Sequence, residues 1–263
     1  MKKHVEATVL ESWPAAGDWY AMVLECPEIA ELAVPGQFVQ LRAWEGTAPL
    51  LARPIGVAGV PRPGAILVWI DRVGEGTRLI TSAAVGSRLR ITGPLGRGFT
   101  MPAAGETIYY VSGCAGAAPL RFVAERQIGA KRQVFFHGGG SACDTKAVLA
   151  DNVISKIELI ITTDDGTAGE CGLVTAPLCR ALEDDKPDRI LACGPKGMLK
   201  AVAKLATAAG VACEVSLESH MGCGIGVCNG CVVPVLDPSG KPYAHVCTDG
   251  PVFDSKYIDW EAV

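Results

Sequence analysis

Residues 106–119, with the sequence Glu106-Thr-Ile-Tyr-Tyr-Val-Ser-Gly113-Cys-Ala-Gly-Ala-Ala-Pro119, join an apolar run to a turn of small residues. The β-branched and aromatic residues of the run predict a strand over 106–112 that ends at Gly113. A helical pattern follows over 117–128, so the stretch predicts a strand, a tight turn and a helix in succession. That unit is the building block of parallel α/β sheets.

Strands and helices continue to alternate from this unit to residue 217. Further strands are predicted over 132–137, 157–163, 189–193 and 212–217, and helices over 144–153, 172–182 and 195–209. Elements of this length predict a doubly wound parallel sheet, in which ligands bind beyond the carboxyl ends of the strands. Gly113 to Gly116 and Cys193 to Pro195 lie at such ends. Each stretch is also typical of an ordinary turn between a strand and a helix, so neither alone identifies a nucleotide site.

Residues 1–100 show the pattern of antiparallel strands instead. Strands are predicted over 37–42, 65–73 and 87–92, turn residues are frequent, and helical periodicity is scarce. This pattern predicts an antiparallel β-barrel or a sandwich. Within it, Arg53-Pro54-Ile55-Gly56 supplies a cation, and the loop 71–77 supplies backbone N–H groups and a hydroxyl. Such groups can hold a pyrophosphate.

Cys223, Cys228 and Cys231 form a C-x4-C-x2-C motif, and Cys247 follows after fifteen intervening residues. This is the spacing of plant-type [2Fe–2S] proteins. Structural zinc is the alternative, but four-cysteine zinc sites usually contain two C-x2-C pairs, and only Cys228 and Cys231 make one. The histidines lack the spacing that a Rieske centre needs. The residues after 216 are therefore predicted to form a small module that depends on its metal.

The composition excludes several classes of protein. The chain has 263 residues, of which 49% are hydrophobic and 20% charged, which suits a folded protein. A net charge of −4 offers no basic surface for nucleic acid. No uncharged apolar stretch approaches the roughly 18 residues of a membrane span, and the N-terminal residues lack the apolar segment of a signal peptide. The odd number of cysteines, eleven, disfavours a disulfide framework, so we expect a cytoplasmic protein.

The order of these motifs resembles the electron-transfer subunits of type B dihydroorotate dehydrogenases, within the ferredoxin-reductase-like flavoproteins. The resemblance covers nearly the whole chain and is carried by Arg53-Pro54-Ile55, Gly76-Thr77, 93–96, 163–166, Cys193-Gly194-Pro195, 216–218, the four cysteines and 247–253. It implies an FAD-binding barrel over 1–100, an NAD-binding α/β domain over 101–215 and a [2Fe–2S] module over 216–263. It also implies a hetero-oligomer with an FMN-containing catalytic subunit that oxidises dihydroorotate to orotate in pyrimidine biosynthesis.

The same resemblance implies roles for individual residues. The FAD site would be lined by Arg53, Pro54, Ile55 and Gly56, flanked by Ile70, Asp71 and Arg72, and closed at the pyrophosphate by Gly76 and Thr77. The nicotinamide site would be shaped by Gly113, Gly116, Pro119, Cys193, Gly194 and Pro195. The cluster ligands would be Cys223, Cys228, Cys231 and Cys247.

Three positions depart from the family pattern. Gly56 replaces the usual serine, which removes a hydroxyl from the flavin site. Gly113-Cys114-Ala115 replaces a run of three glycines, which bears on the geometry of the nucleotide turn. The stretch from His137 to Asp144 contains no Arg or Lys where the family often has polar and basic residues. Because a 2′-phosphate needs a cationic partner, the last departure favours NAD over NADP.

Cofactors carry the chemistry in the function that we expect. Electrons pass between a partner dehydrogenase and NAD+ through the cluster and FAD, so the chain is predicted to be an NAD-linked iron–sulfur flavoprotein oxidoreductase subunit. No side chain is nominated as a general acid or base. Two alternatives stay open: a reductase subunit that uses NAD(P)H for another oxidoreductase, such as a hydrogenase or an electron-bifurcating complex, and a zinc-stabilised interaction module without redox activity.

Overall fold

The computed structural model describes residues 2–263, and its first part is a closed barrel of six antiparallel strands. These are β1 (Lys3–Ala16), β2 (Trp19–Glu25), β3 (Phe38–Arg42), β4 (Arg53–Arg62), β5 (Ala65–Asp71) and β6 (Arg88–Leu95), in the order β1-β2-β5-β4-β3-β6. Two short helices, α1 (Pro27–Ala30) and α2 (Glu75–Thr81), accompany them. Because side chains alternate along a strand, Val39 and Leu41 fill the barrel interior while Phe38 and Gln40 face outward. The predicted barrel is confirmed.

The second part is a seven-stranded sheet with helices on both faces. Its first six strands are β7 (Thr107–Gly113), β8 (Arg132–Gly139), β9 (Glu158–Thr163), β10 (Glu170–Cys171), β11 (Arg189–Cys193) and β12 (Ala212–Ser216). They pair in parallel in the order β10-β9-β8-β7-β11-β12. The helices are α3 (Ala117–Arg126), α4 (Ala142–Leu149), α5 (Thr175–Asp184) and α6 (Lys196–Ala209). Since α3 and α4 cover one face and α5 and α6 the other, the predicted doubly wound architecture is confirmed.

The third part contains the clustered cysteines and little regular structure. We use the name cysteine segment for residues 217–251, which follow β12 and contain the short antiparallel pair β13 (Val232–Pro234) and β14 (Tyr243–His245). The chain then forms β15 (Val252–Asp254), which pairs antiparallel with β12 as the seventh strand of the sheet. The cysteine segment is thus anchored to the seven-stranded sheet at both of its ends.

The barrel and the seven-stranded sheet share one buried apolar cluster. On the barrel side, this cluster contains side chains from the outer wall of β2 and β5, namely Trp19, Ala21, Val23, Ala65, Leu67 and Trp69. On the other side, it contains side chains of α3 and α4. Among the described residues, no helix has the length and apolar character that crossing a membrane requires.

Arg121 adds a polar contact to this interface. Its side chain lies on α3 and is only 5% exposed. Nε donates a hydrogen bond to Oδ2 of Asp151 over 2.6 Å, and Nη1 donates to the carbonyl oxygen of Ala58 on β4 over 2.8 Å. The next residue, Gly59, has no space for a Cβ, which would collide with Arg121 and Glu125. Arg121 therefore ties the helix that follows the Gly113–Gly116 turn to the strand that begins at Arg53.

Candidate functional site

The residues expected to line FAD come together where β4 begins. Arg53, Pro54, Ile55 and Gly56 are all half-buried. The guanidinium of Arg53 lies over Gly76 at the start of α2, where a Cβ on Gly76 would come within 2.5 Å of Arg53 Nε. A side chain at position 76 would push the guanidinium away, so only glycine lets the cation lie against the first turn of α2. The structure thus brings a cation and free backbone N–H groups to one place, which is what a pyrophosphate needs.

The segment 70–77 contributes backbone and polar groups around this point. Ile70 points into the barrel core, so only its main chain faces the site. Arg72 stacks over the Tyr20 ring, 4.8 Å from the centroid, and its buried Nε has no hydrogen-bond partner in residues 2–263. Thr77 Oγ1 accepts a hydrogen bond from the Gly74 N–H over 3.2 Å and so caps α2. Its hydroxyl is therefore engaged with the helix terminus, which the sequence alone did not indicate.

The carboxyl group of Asp71 lies in an acidic part of the site. Desolvation raises its pKa, and the nearby carboxylates of Asp18 and Asp144 raise it further. Asp18 belongs to the hairpin between β1 and β2, and Asp144 to α4, so this group of carboxylates lies where the barrel meets the sheet. An acidic edge of this kind repels phosphate groups and thus limits where they can bind.

The residues expected to shape the nicotinamide site converge at the carboxyl ends of two neighbouring strands. Ser112 on β7 is the register partner of Cys193 on β11, so the turns that follow them meet. A Cβ on Gly113 would lie 2.8 Å from Pro195 Cδ, and a Cβ on Gly116 would collide with the carbonyl group of Cys193. Glycine at both positions allows this close approach of the two turns.

A cavity of about 380 Å³ opens beside these turns. It is lined by residues at or just beyond the carboxyl ends of β7, β8, β9 and β11, including Gly113, Cys114, Gly138, Gly139, Thr162, Asp164, Pro195 and Met198. Thr162 Oγ1 is buried and has no hydrogen-bond partner within residues 2–263. A concave site with a few polar groups at this edge of a doubly wound sheet is typical of a nucleotide pocket.

Cys193 and Glu218 lie near the carboxyl ends of β11 and β12, and both have a raised pKa. Burial raises the pKa of the Cys193 thiol to about 12, and the Glu218 carboxylate contributes to the rise, so this thiol stays protonated. Glu218 is exposed at the surface, yet the protein around it desolvates the carboxyl group and raises its pKa. Glu218 is not among the site residues predicted from the sequence. Its signals in the sequence are its place just beyond the end of β12, at the carboxyl edge of the sheet, and its position in the stretch 216–218 that contributes to the family resemblance.

The four clustered cysteines form two pairs. The Cys223 N–H donates to Cys228 Sγ over 3.5 Å and the Cys228 N–H donates to Cys223 Sγ over 3.4 Å, while Cys247 lies near Cys231 and, less closely, near Cys223. Cys231 and Cys247 are buried, whereas Cys228 is exposed. A [2Fe–2S] cluster needs two thiolates at each of two adjacent irons, whereas a single zinc needs four ligands around one ion. Two neighbouring pairs of thiols fit the first arrangement.

Backbone N–H groups surround the sulfur atoms. Those of Ile225, Val227 and Cys228 donate to Cys223 Sγ over 3.4, 3.3 and 3.4 Å. Desolvation raises the pKa of the Cys223 thiol, but these hydrogen bonds outweigh it and lower the pKa to about 6. Gly224 and Gly226, with φ of +70° and +87°, give the loop the left-handed turns that aim these N–H groups inward. The residues present therefore suit an anionic iron–sulfur cluster.

The three candidate sites are neighbours. A Cβ on Gly56 would meet Pro119 Cδ at 3.8 Å, which leaves room for a small side chain. The candidate flavin segment, residues 53–56, therefore lies against the start of α3, beside the turns 113–116 and 193–195, which we call the nicotinamide turns for their candidate role. On the other side, a Cβ on Gly224 would lie 2.9 Å from Gln40 Nε2 on β3, the strand next to β4. The order is therefore nicotinamide turns, flavin segment, cysteine segment.

Comparisons with known proteins agree with this arrangement. Residues 218–259 match the model of the iron–sulfur cluster binding domain of dihydroorotate dehydrogenase B. The chain is 39% identical to the dihydroorotate dehydrogenase B (NAD(+)) electron transfer subunit of Desulforamulus reducens, across 99% of this chain and 100% of that protein. It is 34% identical to the subunit of the same name from Caldanaerobacter subterraneus subsp. tengcongensis, across 96% and 97% of the two chains.

Solved structures show the same fold. A structure of NADH-dependent reduced ferredoxin-NADP oxidoreductase superposes with a TM-score of 0.84 and 28% identity, covering 97% of this chain and 90% of that chain. A ferredoxin NADP+ reductase from Neisseria gonorrhoeae, solved with bound FAD and NADP, superposes with a TM-score of 0.65 at 15% identity, over 79% and 92% of the chains. The resemblance predicted from the motifs is confirmed by the curated relatives. The chain belongs to the family of electron transfer subunits of dihydroorotate dehydrogenase B.

Proposed function

We propose that the three candidate sites hold the three redox centres of this electron transfer subunit. FAD, when bound, exchanges two electrons with a nicotinamide and single electrons with an iron–sulfur cluster. Arg53 to Gly56 and the first turn of α2 would bind it, and the turns at Gly113 and Cys193 would orient the nicotinamide. Cys223, Cys228, Cys231 and Cys247 would ligate the [2Fe–2S] cluster.

One observation carries this proposal. The flavin segment of β4 lies between the start of α3 and the cysteine segment, with Gly56 near Pro119 on one side and Gln40, beside Pro54, near Gly224 on the other. A flavin held by these residues would lie between the residues proposed for the nicotinamide and those proposed for the cluster. The chain's own residues therefore supply binding and orientation, and no proton-transferring side chain is required.

We propose that the partner is an FMN-containing dihydroorotate dehydrogenase catalytic subunit and that it docks at the cysteine segment. Ile225 and Val227 flank the cysteines and are 43% and 74% exposed. Exposed apolar side chains beside a redox centre favour contact with another protein, which would bring its cofactor near the cluster.

The eleven cysteines are all free in the structure, which is typical of a reducing compartment and supports a cytoplasmic location.

Reconstitution of the two subunits tests the partner. Val227→Glu should weaken association and lower dihydroorotate-dependent reduction of NAD+ at least about tenfold, because a charge at an interface is desolvated. NADH-dependent reduction of a dye that accepts electrons from flavin should stay unchanged. Val85→Glu, at another exposed valine far along the chain, is the matched control. Equal turnover in both variants would contradict docking at the cysteine segment. Coupling only to a different dehydrogenase would contradict the proposed partner.

A further inference from the structure

Gln40 has a buried side chain with no partner. Its side chain is on the outer face of β3, and the residue is only 4% exposed. Neither Nε2 nor Oε1 makes a hydrogen bond within residues 2–263. Gln37, three residues earlier, shows the usual state: its Nε2 donates to the Gly96 carbonyl over 2.8 Å, and its Oε1 accepts from the Val34 N–H over 3.0 Å. Buried side-chain amides nearly always make hydrogen bonds, so we expect the Gln40 amide to bond to a group that is not part of the polypeptide.

The surroundings of Gln40 indicate where that group lies. Gln40 is the register partner of Pro54, and directly opposed residues of antiparallel strands point to the same side, so Gln40 borders the flavin segment. Its Nε2 is turned towards the cysteine segment, since a Cβ on Gly224 would come within 2.9 Å of it. Gly224 directly follows Cys223. The amide nitrogen therefore lies against the loop that begins at Cys223, the first of the proposed ligands.

The chemistry of the amide matches an iron–sulfur cluster at this place. Nε2 carries two N–H donors, and the sulfur atoms of a cluster and its thiolates accept hydrogen bonds. The backbone N–H groups around Cys223 all come from the cysteine segment itself. A donor from β3 would approach from the barrel side, between the cluster and the flavin segment.

We propose that the side-chain amide of Gln40 donates a hydrogen bond to a sulfur atom of the [2Fe–2S] cluster and thereby positions the cluster against the barrel and raises its reduction potential. A donor at sulfur stabilises the reduced cluster, which is more negative, more than the oxidised one. This inference rests on the proposed ligation by the four cysteines. Gln40 is a positioning residue in the electron route, because it acts through the cluster.

The test compares Gln40→Met with Gln127→Met in the complete chain carrying its cofactors. Gln127 lies at the end of α3, away from the cysteine segment, so its variant is the matched control. We expect Gln40→Met to make cluster reduction about tenfold less favourable, which corresponds to about 59 mV for one electron, in a titration followed by electron paramagnetic resonance. The flavin potential should stay unchanged. A cluster potential equal to that of the control, or a shift confined to the flavin, would overturn the proposal.

A second measurement does not depend on the variant keeping its cluster. Nitrogen-15 in the glutamine side-chain amides should produce a hyperfine coupling in the spectrum of the reduced cluster of the unaltered chain, and the Gln127→Met variant should retain it. No such coupling would overturn the role of Gln40 while leaving the cluster assignment intact. If the unaltered chain binds no [2Fe–2S] cluster, the proposed ligation fails instead, and the inference fails with it.

Discussion

The cysteine segment and the interface between barrel and sheet are held together by different means. The interface buries the α3 residues from Ala117 to Ala124 against apolar side chains of the barrel wall, with Arg121 as its polar contact. The cysteine segment has strands of only three residues, and Ile225, Val227 and Cys228 are exposed. Apolar area stabilises the first region without any cofactor. The second also buries Val233 and Val246 in the core of the sheet, but we expect metal ligation to add much of its stability. The geometry between flavin and nicotinamide should therefore survive loss of the cluster.

Replacement of one cluster ligand should produce the largest difference between the responses of the two regions. Cys228→Ser substitutes a hard oxygen for a soft thiolate, so we expect the [2Fe–2S] centre to be lost or badly destabilised. Changes to groups that only contact ligands cost about 10–100-fold, so loss of a ligand should lower partner-coupled turnover at least about 100-fold. NADH-driven dye reduction should persist because it does not pass through the cluster.

Iron content and both rates are measured on the same preparation, with Cys179→Ser on α5 as the control. Retained iron in Cys228→Ser would contradict the ligand assignment. Lost iron with undiminished partner coupling would contradict the proposed route.

The interface should respond to the loss of its buried cation. Arg121→Met leaves the Asp151 carboxylate buried without its partner, since the side chains of Arg121 and Asp151 are 7% and 8% exposed. Breaking such a pair costs about 3–5 kcal/mol of unfolding free energy. Because Arg121 also holds the Ala58 carbonyl of β4, flavin reduction by NADH should slow as well.

Urea denaturation and stopped-flow reduction measure these two effects. The second substitution in Arg121→Met/Asp151→Asn removes the unpaired charge and should restore part of the stability. Arg126→Met, at an exposed position of the same helix, should change the unfolding free energy by less than about 0.5 kcal/mol. If Arg121→Met kept the unfolding free energy and the rate of flavin reduction of the unaltered chain, apolar packing alone would be enough to hold the barrel against the sheet.

A smaller effect is expected where β4 meets α2. Arg53→Ala removes the cation that lies over Gly76, and a hydrogen bond to a charged group contributes about 1.5–3 kcal/mol. The dissociation constant of FAD should therefore rise about 10–100-fold, while the absorbance of the cluster survives. Arg62→Ala, at the opposite end of β4 in an exposed pair with Glu11, is the control. Flavin occupancy equal to that of the control would show that Arg53 does not bind FAD.

The smallest predicted effect concerns the choice of nucleotide. Asp164 lines the cavity, and the stretch from His137 to Asp144 contains no Arg or Lys. A 2′-phosphate would meet negative charge there, so kcat/KM should favour NADH over NADPH by at least about tenfold, equivalent to about 1.4 kcal/mol. The comparison uses a flavin-accepting dye, and adding salt should narrow the ratio because it screens the repulsion. Equal values for the two nucleotides would contradict this prediction.

Regular periodicity made five of the seven strands of the sheet predictable from sequence, whereas β10 and β15 were not predicted. Strands 189–193 and 132–137 and helix 195–209 match the structure within about two residues, since apolar runs bounded by glycine and proline leave few alternatives. Helix α2 was not predicted, because Gly76 and Thr77 weaken a helical pattern of only seven residues. The pairing of β15 with β12 joins segments far apart in sequence, and no local pattern indicates it.

The residues of the candidate sites also fall into two groups: those that a local sequence pattern indicates and those that depend on contacts between distant segments. The four cysteines are a local motif, so their spacing was enough to select them, whereas the glycine turns were assigned a role only through the family resemblance. Arg121, Glu218 and Gln40 acquire their surroundings only when distant elements pack together. A lone glutamine in a strand is an ordinary residue in sequence, and only its burial and its unpaired amide single it out.

The pairing of β15 with β12 sets an order of events during maturation. All four cysteines precede β15 along the chain, so ribosomes release the cluster ligands before the last strand of the sheet exists. The addition of β15 to β12 closes residues 217–251 into a long loop, at an entropic cost. Iron–sulfur assembly shortens that loop. We therefore expect β15 to add to β12 more slowly in a chain that lacks the cluster than in one that carries it.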